Sequence, residues 1–254
     1  MDVLRKEITG IYDAQRLDEE QLNPAVVQRS CLAVECASAI DNDCRVLTDA
    51  AADRCWIYGG AFARLLGIGN NAGEFNSSDE DVIYCRIHPE DLVEKRMLEY
   101  EFFKFADSLP VTEKLQHMAT CRFRIKTRDD RYVMVVNSTR IMQLSPNGKI
   151  WLILCIYNLD SNQEAGPDIS PAIVNMETGS IAHLELNERR SRILSRREKE
   201  ILNLIKVGKP SKQIADILGI SIHTVNRHRQ NILEKLSVGN SMEALLAASE
   251  MKLL

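Results

Sequence analysis

The last quarter of this 254-residue chain is punctuated in a way that leaves few folds open. Three short amphipathic segments follow one another, separated by Gly208-Lys209-Pro210 and by Gly219-Ile220-Ser221. Ser195 and Glu198 have the spacing at which a hydroxyl and a carboxylate reciprocally cap a helix start, and Ile201, Leu202, Leu204 and Ile205 then share one face. A second helix is expected from Ser211 to Leu218, burying Ile214, Ile217 and Leu218 and ended by Gly219. A third, capped by Ser221, runs from Ile222 to Leu236. Two short helices broken by a three-residue, glycine-containing turn make a helix-turn-helix.

A 100° wheel separates the two sides of the third helix. Ile222, Val225, Ile232, Leu233 and Leu236 fall on the side expected to face a core, and His223, Asn226, Arg227 and Gln230 point the other way. The planar fork of Arg227 suits the paired acceptors of guanine, and the carboxamides of Asn226 and Gln230 suit adenine, each pair giving ~1–3 kcal/mol of discrimination. Lys212, Ser221, His223 and Thr224 lie near helix starts, where amides, hydroxyls and cations hold phosphates. For Arg229 and His228, at the edge of the core side, phosphate contact and internal pairing are equally open.

Charge supports a polyanion partner for this segment. Residues 189–254 hold 13 Lys and Arg against 6 Asp and Glu, +7, which leaves −11 on the other 188 residues of a chain with net charge −4. A basic module on an acidic body is the electrostatic pattern of a nucleic-acid binder.

The rest of the chain reads as α+β. An amphipathic helix is expected within residues 1–30, from Leu4, Ile8, Ile11 and Tyr12, ending before Asn23-Pro24. Residues 31–160 form a second region. Cys36–Leu47 and Cys55–Tyr58 are expected strands, Ala61–Leu66 a short helix, and Glu90–Ala106 a helix entered through His88-Pro89. Three antiparallel strands follow, Cys121–Thr127, Tyr132–Ile141 and Ile150–Tyr157, joined by the turns Arg128–Arg131 and Ser145-Pro146-Asn147-Gly148. Residues 161–190, with two prolines and few large apolar residues, read as a linker, and 191–254 as the helical module.

Several classes of function are excluded or disfavoured. The longest apolar run, Ile150–Tyr157, has eight residues, far short of the ~20 that span a bilayer, and no export signal opens the chain. A cytoplasmic protein with no membrane partner is expected. Seven scattered cysteines without a C-x-x-C pair read as buried or free thiols, and no histidine stands at zinc spacing from a cysteine. No carboxylate pair, Ser/His set or phosphate loop suggests an enzyme, so no catalytic or metal residue is expected. The alternating face Arg122, Arg124, Lys126, Arg128 reads as solvated, with an acidic partner as the alternative.

Leu194-Ser195-Arg196-Arg197-Glu198, Ser211-Lys212-Gln213-Ile214-Ala215, Leu218-Gly219-Ile220-Ser221, Thr224-Val225, His228 and Ile232-Leu233-Glu234-Lys235-Leu236 together resemble the LuxR/FixJ-type DNA-binding domain. The resemblance implies an all-α four-helix domain with Ser211–Gln230 as its helix-turn-helix. It also implies a fourth helix over about 241–251 whose Met242, Leu245 and Leu246 are candidates for a dimer contact. Asn226 stands where that family often has Lys, and Ser241 near where Arg is common. Residues 31–160 are similar in order of elements to a PAS sensor domain, a five-stranded antiparallel sheet with helices over one face. That resemblance rests on Gly60–Gly67, His88-Pro89-Glu90-Asp91 and the last three strands.

The implied protein is a dimeric, sequence-specific transcription regulator that binds double-stranded DNA, with RNA polymerase as a further partner. Its PAS-like domain would receive a signal, through an unidentified small molecule or a protein partner. The alternative is a ligand-independent regulator whose N-terminal domain only dimerises or docks. Flavin and haem are disfavoured: Cys121-Arg122-Phe123 opens a strand, and neither His88 nor His117 faces inward from a helix. No cofactor is expected.

Overall fold

The computed structural model describes residues 8, 10, 22–68, 73–75, 80–164, 166, 169–185, 193–236, 238–250 and 253–254. Residues 8–184 form one compact unit, and 185–254 belong to a second. The helix expected within the first ~20 residues lies almost entirely outside the described residues.

The first described helix, α1 (Pro24–Asp41), starts where the sequence reading placed a stop. Asn-Pro serves both purposes. Here the Asn23 side chain accepts a hydrogen bond from the Ala25 amide and Pro24 occupies the first turn, so the pair opens the helix. The expected strand at Cys36–Leu47 is corrected accordingly. Asn42, left-handed at φ 55°, ends α1, and strand β1 is Cys44–Asp49. After β2 (Arg54–Gly59) come α2 (Ala61–Leu66), the three-residue β3 (Gly73–Phe75) and α3 (Asp81–Tyr84). Gly60, before α2, must lack a side chain, since a Cβ there would lie 2.7 Å from the Asn42 Cα.

Helix α4 (Pro89–Ser108) is capped by His88, as its sequence predicts, but its acidic first turn does more than offset the helix dipole. Asp91 accepts from the Arg124 amide at 2.8 Å and from its guanidinium at 2.6 and 2.9 Å, and Glu90 adds a bond at 3.0 Å. These bonds raise the pKa of Arg124. They tie α4 to β4 (His117–Lys126), the first of three long strands with β5 (Tyr132–Leu144) and β6 (Ile150–Leu159). The basic strand face is largely neutralised: Arg122 pairs with Asp160 and Lys126 with Asp130.

The region expected as a linker, 161–190, contributes two more strands. β7 (Ala172–Asn175) pairs with β4, and β8 (Ile181–His183) pairs with β7. Their turn is closed by Asn175, whose side chain accepts from the amides of Glu177 and Thr178. Low apolar content suggested a linker because an edge strand needs little burial, and here only Ala172 and Ile173 are covered. Among the described residues the sheet is antiparallel with eight strands in the order β3-β2-β1-β6-β5-β4-β7-β8. The five expected strands are its contiguous centre, β2-β1-β6-β5-β4.

Helix α1 packs on one face of this sheet, where Val34 joins Leu47, Trp151, Leu152 and Leu154. Strand alternation turns Cys44, Cys155, Tyr157, Asn137, Thr139, Cys121 and Phe123 to the other face. That side of the core contains a charged network. Lys95, 0% exposed, donates to Glu99 at 2.6 Å and to the Tyr84 hydroxyl at 2.8 Å, with its ammonium 4.3 Å from the centre of the Tyr84 ring. Nearby, the Tyr157 hydroxyl donates to buried Glu80. Burial works against both charges of the Lys95–Glu99 pair, but each holds the other ionised. Glu80 is different: burial outweighs Lys95 and Tyr157 and raises its pKa. All seven cysteines are free thiols, and the four on the sheet, Cys44, Cys55, Cys121 and Cys155, are buried. Burial pushes Cys121 up to about 12.

The helical unit contains α5 (Arg196–Lys206), α6 (Ser211–Leu218), α7 (Ile222–Leu236) and α8 (Ser241–Glu250). The capping box at Ser195 and Glu198 is present in both directions. The core is Leu194, Ile201, Leu202, Ile214, Ala215, Val225, Ile232, Leu236, Ala244 and Ala248. Two residues expected inside are not: Ile217 is 55% and Ile222 48% exposed. Ile214 and Ala215 already fill the inward side of α6, and Val225 that of the first turn of α7.

Removing one partner from a buried ion pair strands the other, at a cost of about 3–5 kcal/mol. Lys95→Met should therefore lower the stability of the sheet unit by about 3 kcal/mol, read by urea unfolding followed through Trp56 and Trp151 fluorescence. Adding Glu99→Leu should recover most of that loss, and an unchanged double variant would contradict the assignment. In the helical unit, burial pushes the Glu198 carboxyl up. Bonds from Lys235 at 2.7 Å and from Ser195 outweigh that and hold it below the usual carboxylate range. Stability from a depressed carboxylate is present above its unfolded pKa and is lost as pH falls through the native value. Lys235→Gln should thus move acid unfolding of this unit to higher pH, measured on the amide NMR signals of α5 and α7.

Candidate nucleic-acid interface

The helix-turn-helix is set by its turn. Gly219 sits at φ +63°, left-handed, where the chain leaves α6. Ser221 then caps α7: its hydroxyl accepts from the Thr224 amide at 3.1 Å and lies 2.8 Å from the Thr224 hydroxyl. Arg197 fixes the end of α6 by donating to the Leu218 carbonyl at 2.7 Å while pairing with Glu200.

With α7 held by Val225, Ile232 and Leu236, its outer side is decided. Asn226, Arg227, Gln230 and His223 are exposed, together with Lys212 on α6 and Ser221 before α7, and Thr224 is half-buried. Among the described residues no protein group is bonded to the side chains of Asn226, Arg227, His223 or Lys212. Gln230 donates to Glu234 at 3.2 Å, one turn along the helix. These side chains form a polar, cation-bearing stripe along α7 and the start of α6.

Arg229, left open between phosphate contact and internal pairing, pairs internally. It donates to the Ser211 hydroxyl at 2.8 Å and to the Ser241 hydroxyl at 2.9 Å, joining α7 to the first residues of α6 and α8. The wheel placed Arg229 at the boundary but held no information about which serines would meet it. Ser241 thus has a role as an acceptor. A groove beside this tie is lined by Asn226, Arg229, Gln230, Leu233, Asn240, Ser241 and Met242. On α8, Met242 and Leu246 are 74% and 62% exposed, and Leu245 is half-buried.

In the sheet unit, one group of side chains has metal-like spacing among the described residues: His88, Glu90 and Asp91. Its donor atoms are engaged, the carboxylates by Arg124 and the His88 ring by the Glu90 amide at 3.4 Å. No described helix is long and apolar enough to cross a membrane.

Residues 192–248 match the family "Bacterial regulatory proteins, luxR family". Over 58 residues, 23% of the chain, the sequence is 47% identical to an uncharacterized response regulatory protein, YgeK, of Escherichia coli, covering 40% of that protein. It is 44% identical over 63 residues, 25% of the chain, to the oxygen regulatory protein NreC of Staphylococcus carnosus, covering 29% of it. The chain therefore spans less than half the length of these relatives. A crystal structure of the phage VqmA–DPO complex aligns over 91% of this chain and 93% of that one, at 14% identity and a TM-score of 0.31. The 57 matched residues fall within the helical unit that carries this turn and these caps. Residues 192–248 are a domain of the luxR family of bacterial regulatory proteins.

Proposed function

We propose that the chain is a cytoplasmic, dimeric transcription regulator that binds double-stranded DNA in a sequence-specific way. The observation that carries this reading is the stripe on α7, where the Arg227 guanidinium and the Asn226 carboxamide are exposed and, among the described residues, without internal partners, on a core-anchored helix. Such a helix fits the major groove, and its paired donors and acceptors match base edges there. Asn226, Arg227 and Gln230 are assigned to bases, and Lys212, Ser221, His223 and Thr224 to phosphates and orientation. The amide of Thr224 is already capped by Ser221 and the two hydroxyls bond each other, which leaves one hydroxyl hydrogen of the pair and the neighbouring amides for phosphate.

Met242, Leu245 and Leu246 on α8 are assigned to a contact with a second copy, which would present two recognition helices to a two-fold symmetric site. The sheet unit is assigned to signal reception and dimerisation, and RNA polymerase to the output. A signal acts only through a difference in free energy between DNA-competent and incompetent states. No residue is assigned a catalytic role.

Two measurements test the reading. Affinity of the full-length protein for duplex DNA should fall with salt by about 0.9 log units per decade for each phosphate neutralised; a flat response would contradict it. Arg227→Ala should cost ~1–3 kcal/mol on the preferred duplex and little on random duplex, measured by fluorescence anisotropy. Equal losses on both would make Arg227 a phosphate contact.

A further inference from the structure

We infer that Ile222 is a base-reading residue that contacts the methyl group of a thymine, an assignment that rests on the DNA-binding reading above. Ile222 is the first residue of α7 and 48% exposed, although the helix has its inward positions filled by Val225, Ile232 and Leu236. It does not serve the core, and a β-branched residue is not favoured in a helix for its own sake. Its branching leaves essentially one side-chain rotamer in a helix, so its apolar surface is presented in a fixed direction.

That direction lies beside Asn226. The two are four residues apart, on adjacent parts of the wheel, and both are exposed. At 1.5 Å per residue they are separated by about 6 Å along α7, close to two base-pair steps of about 3.4 Å. In the major groove the C5 methyl of thymine is the one apolar feature a base pair presents, and the fitting protein group is an exposed aliphatic side chain. Asn226 and Ile222 would then read an adenine and, within two base pairs of it, a thymine. The polar stripe alone would leave that second position unread.

Replacing thymidine by deoxyuridine removes that methyl and nothing else, which gives a direct test. Preferred duplexes are selected from a randomised pool with the full-length wild-type protein. The adenine read by Asn226 is located as the base whose preference Asn226→Ala relaxes. Each thymidine within two base pairs of it is then replaced by deoxyuridine. The wild type should bind one such duplex about fourfold more weakly, the value of one buried methylene-sized group. Ile222→Ala should bind the thymidine duplex with a similar loss and be indifferent to the replacement, while Ile222→Val, which keeps the branched methyls, should stay sensitive. Equal binding of wild type to all the duplexes, or an Ile222→Ala variant that keeps its sensitivity, overturns the assignment while the DNA-reading function stands. Selection that enriches no sequence removes both.

Discussion

Burial of Val225, Ile232 and Leu236 determines what α7 offers to solvent. Once those three side chains are inside, helical geometry puts Asn226, Arg227 and Gln230 outside, and no rotation of the helix can change that without exposing core. The flanking ties work in the same sense. Arg197 holds the end of α6, Glu198 and Lys235 link α5 to α7, and Arg229 links α7 to two serines at the starts of α6 and α8. The outer stripe is as rigid as the core beneath it, which is what base reading asks of a helix.

The two units stabilise themselves by different means. The helical unit has an apolar core with one buried carboxylate, Glu198, which pairs with half-buried Lys235. The sheet unit buries Lys95, Glu99, Tyr84, Glu80 and Tyr157 against one face, and an ion pair so placed costs desolvation that only close geometry offsets. A core built this way is intolerant of losing any one member. The other face, beneath α1, is filled by aliphatic and tryptophan side chains.

Much of this was legible from particular residues. Ser195 with Glu198, Gly219 and Ser221 each act through bonds between near neighbours, so their spacing alone located the caps and the turn. The three long strands were visible from alternation and from Ser145-Pro146-Asn147-Gly148. Asn23-Pro24 is ambiguous in sequence because that pair opens and closes helices equally well, and the Asn23 cap together with the packing of Val34 onto Leu47 and Leu154 shows which applies. β7 and β8 are not legible locally because β7 derives its order from Met118 and its neighbours, more than fifty residues away, and the edge strand β8 pairs with β7.

Sequence by itself determined the elements whose stabilising contacts are local: the capped helices, the turn between α6 and α7, the long strands, and the polar character of one side of α7. Tertiary structure alone decided the pairings between distant groups: Arg124 with Asp91, Lys95 with Glu99 and Tyr84, Arg229 with Ser211 and Ser241, and the exposure of Ile217 and Ile222. The physical reason is that a helix wheel or a strand alternation ranks directions within one element. Which of those directions meets a neighbour depends on how several elements fill the same volume, and that is a property of the packed whole.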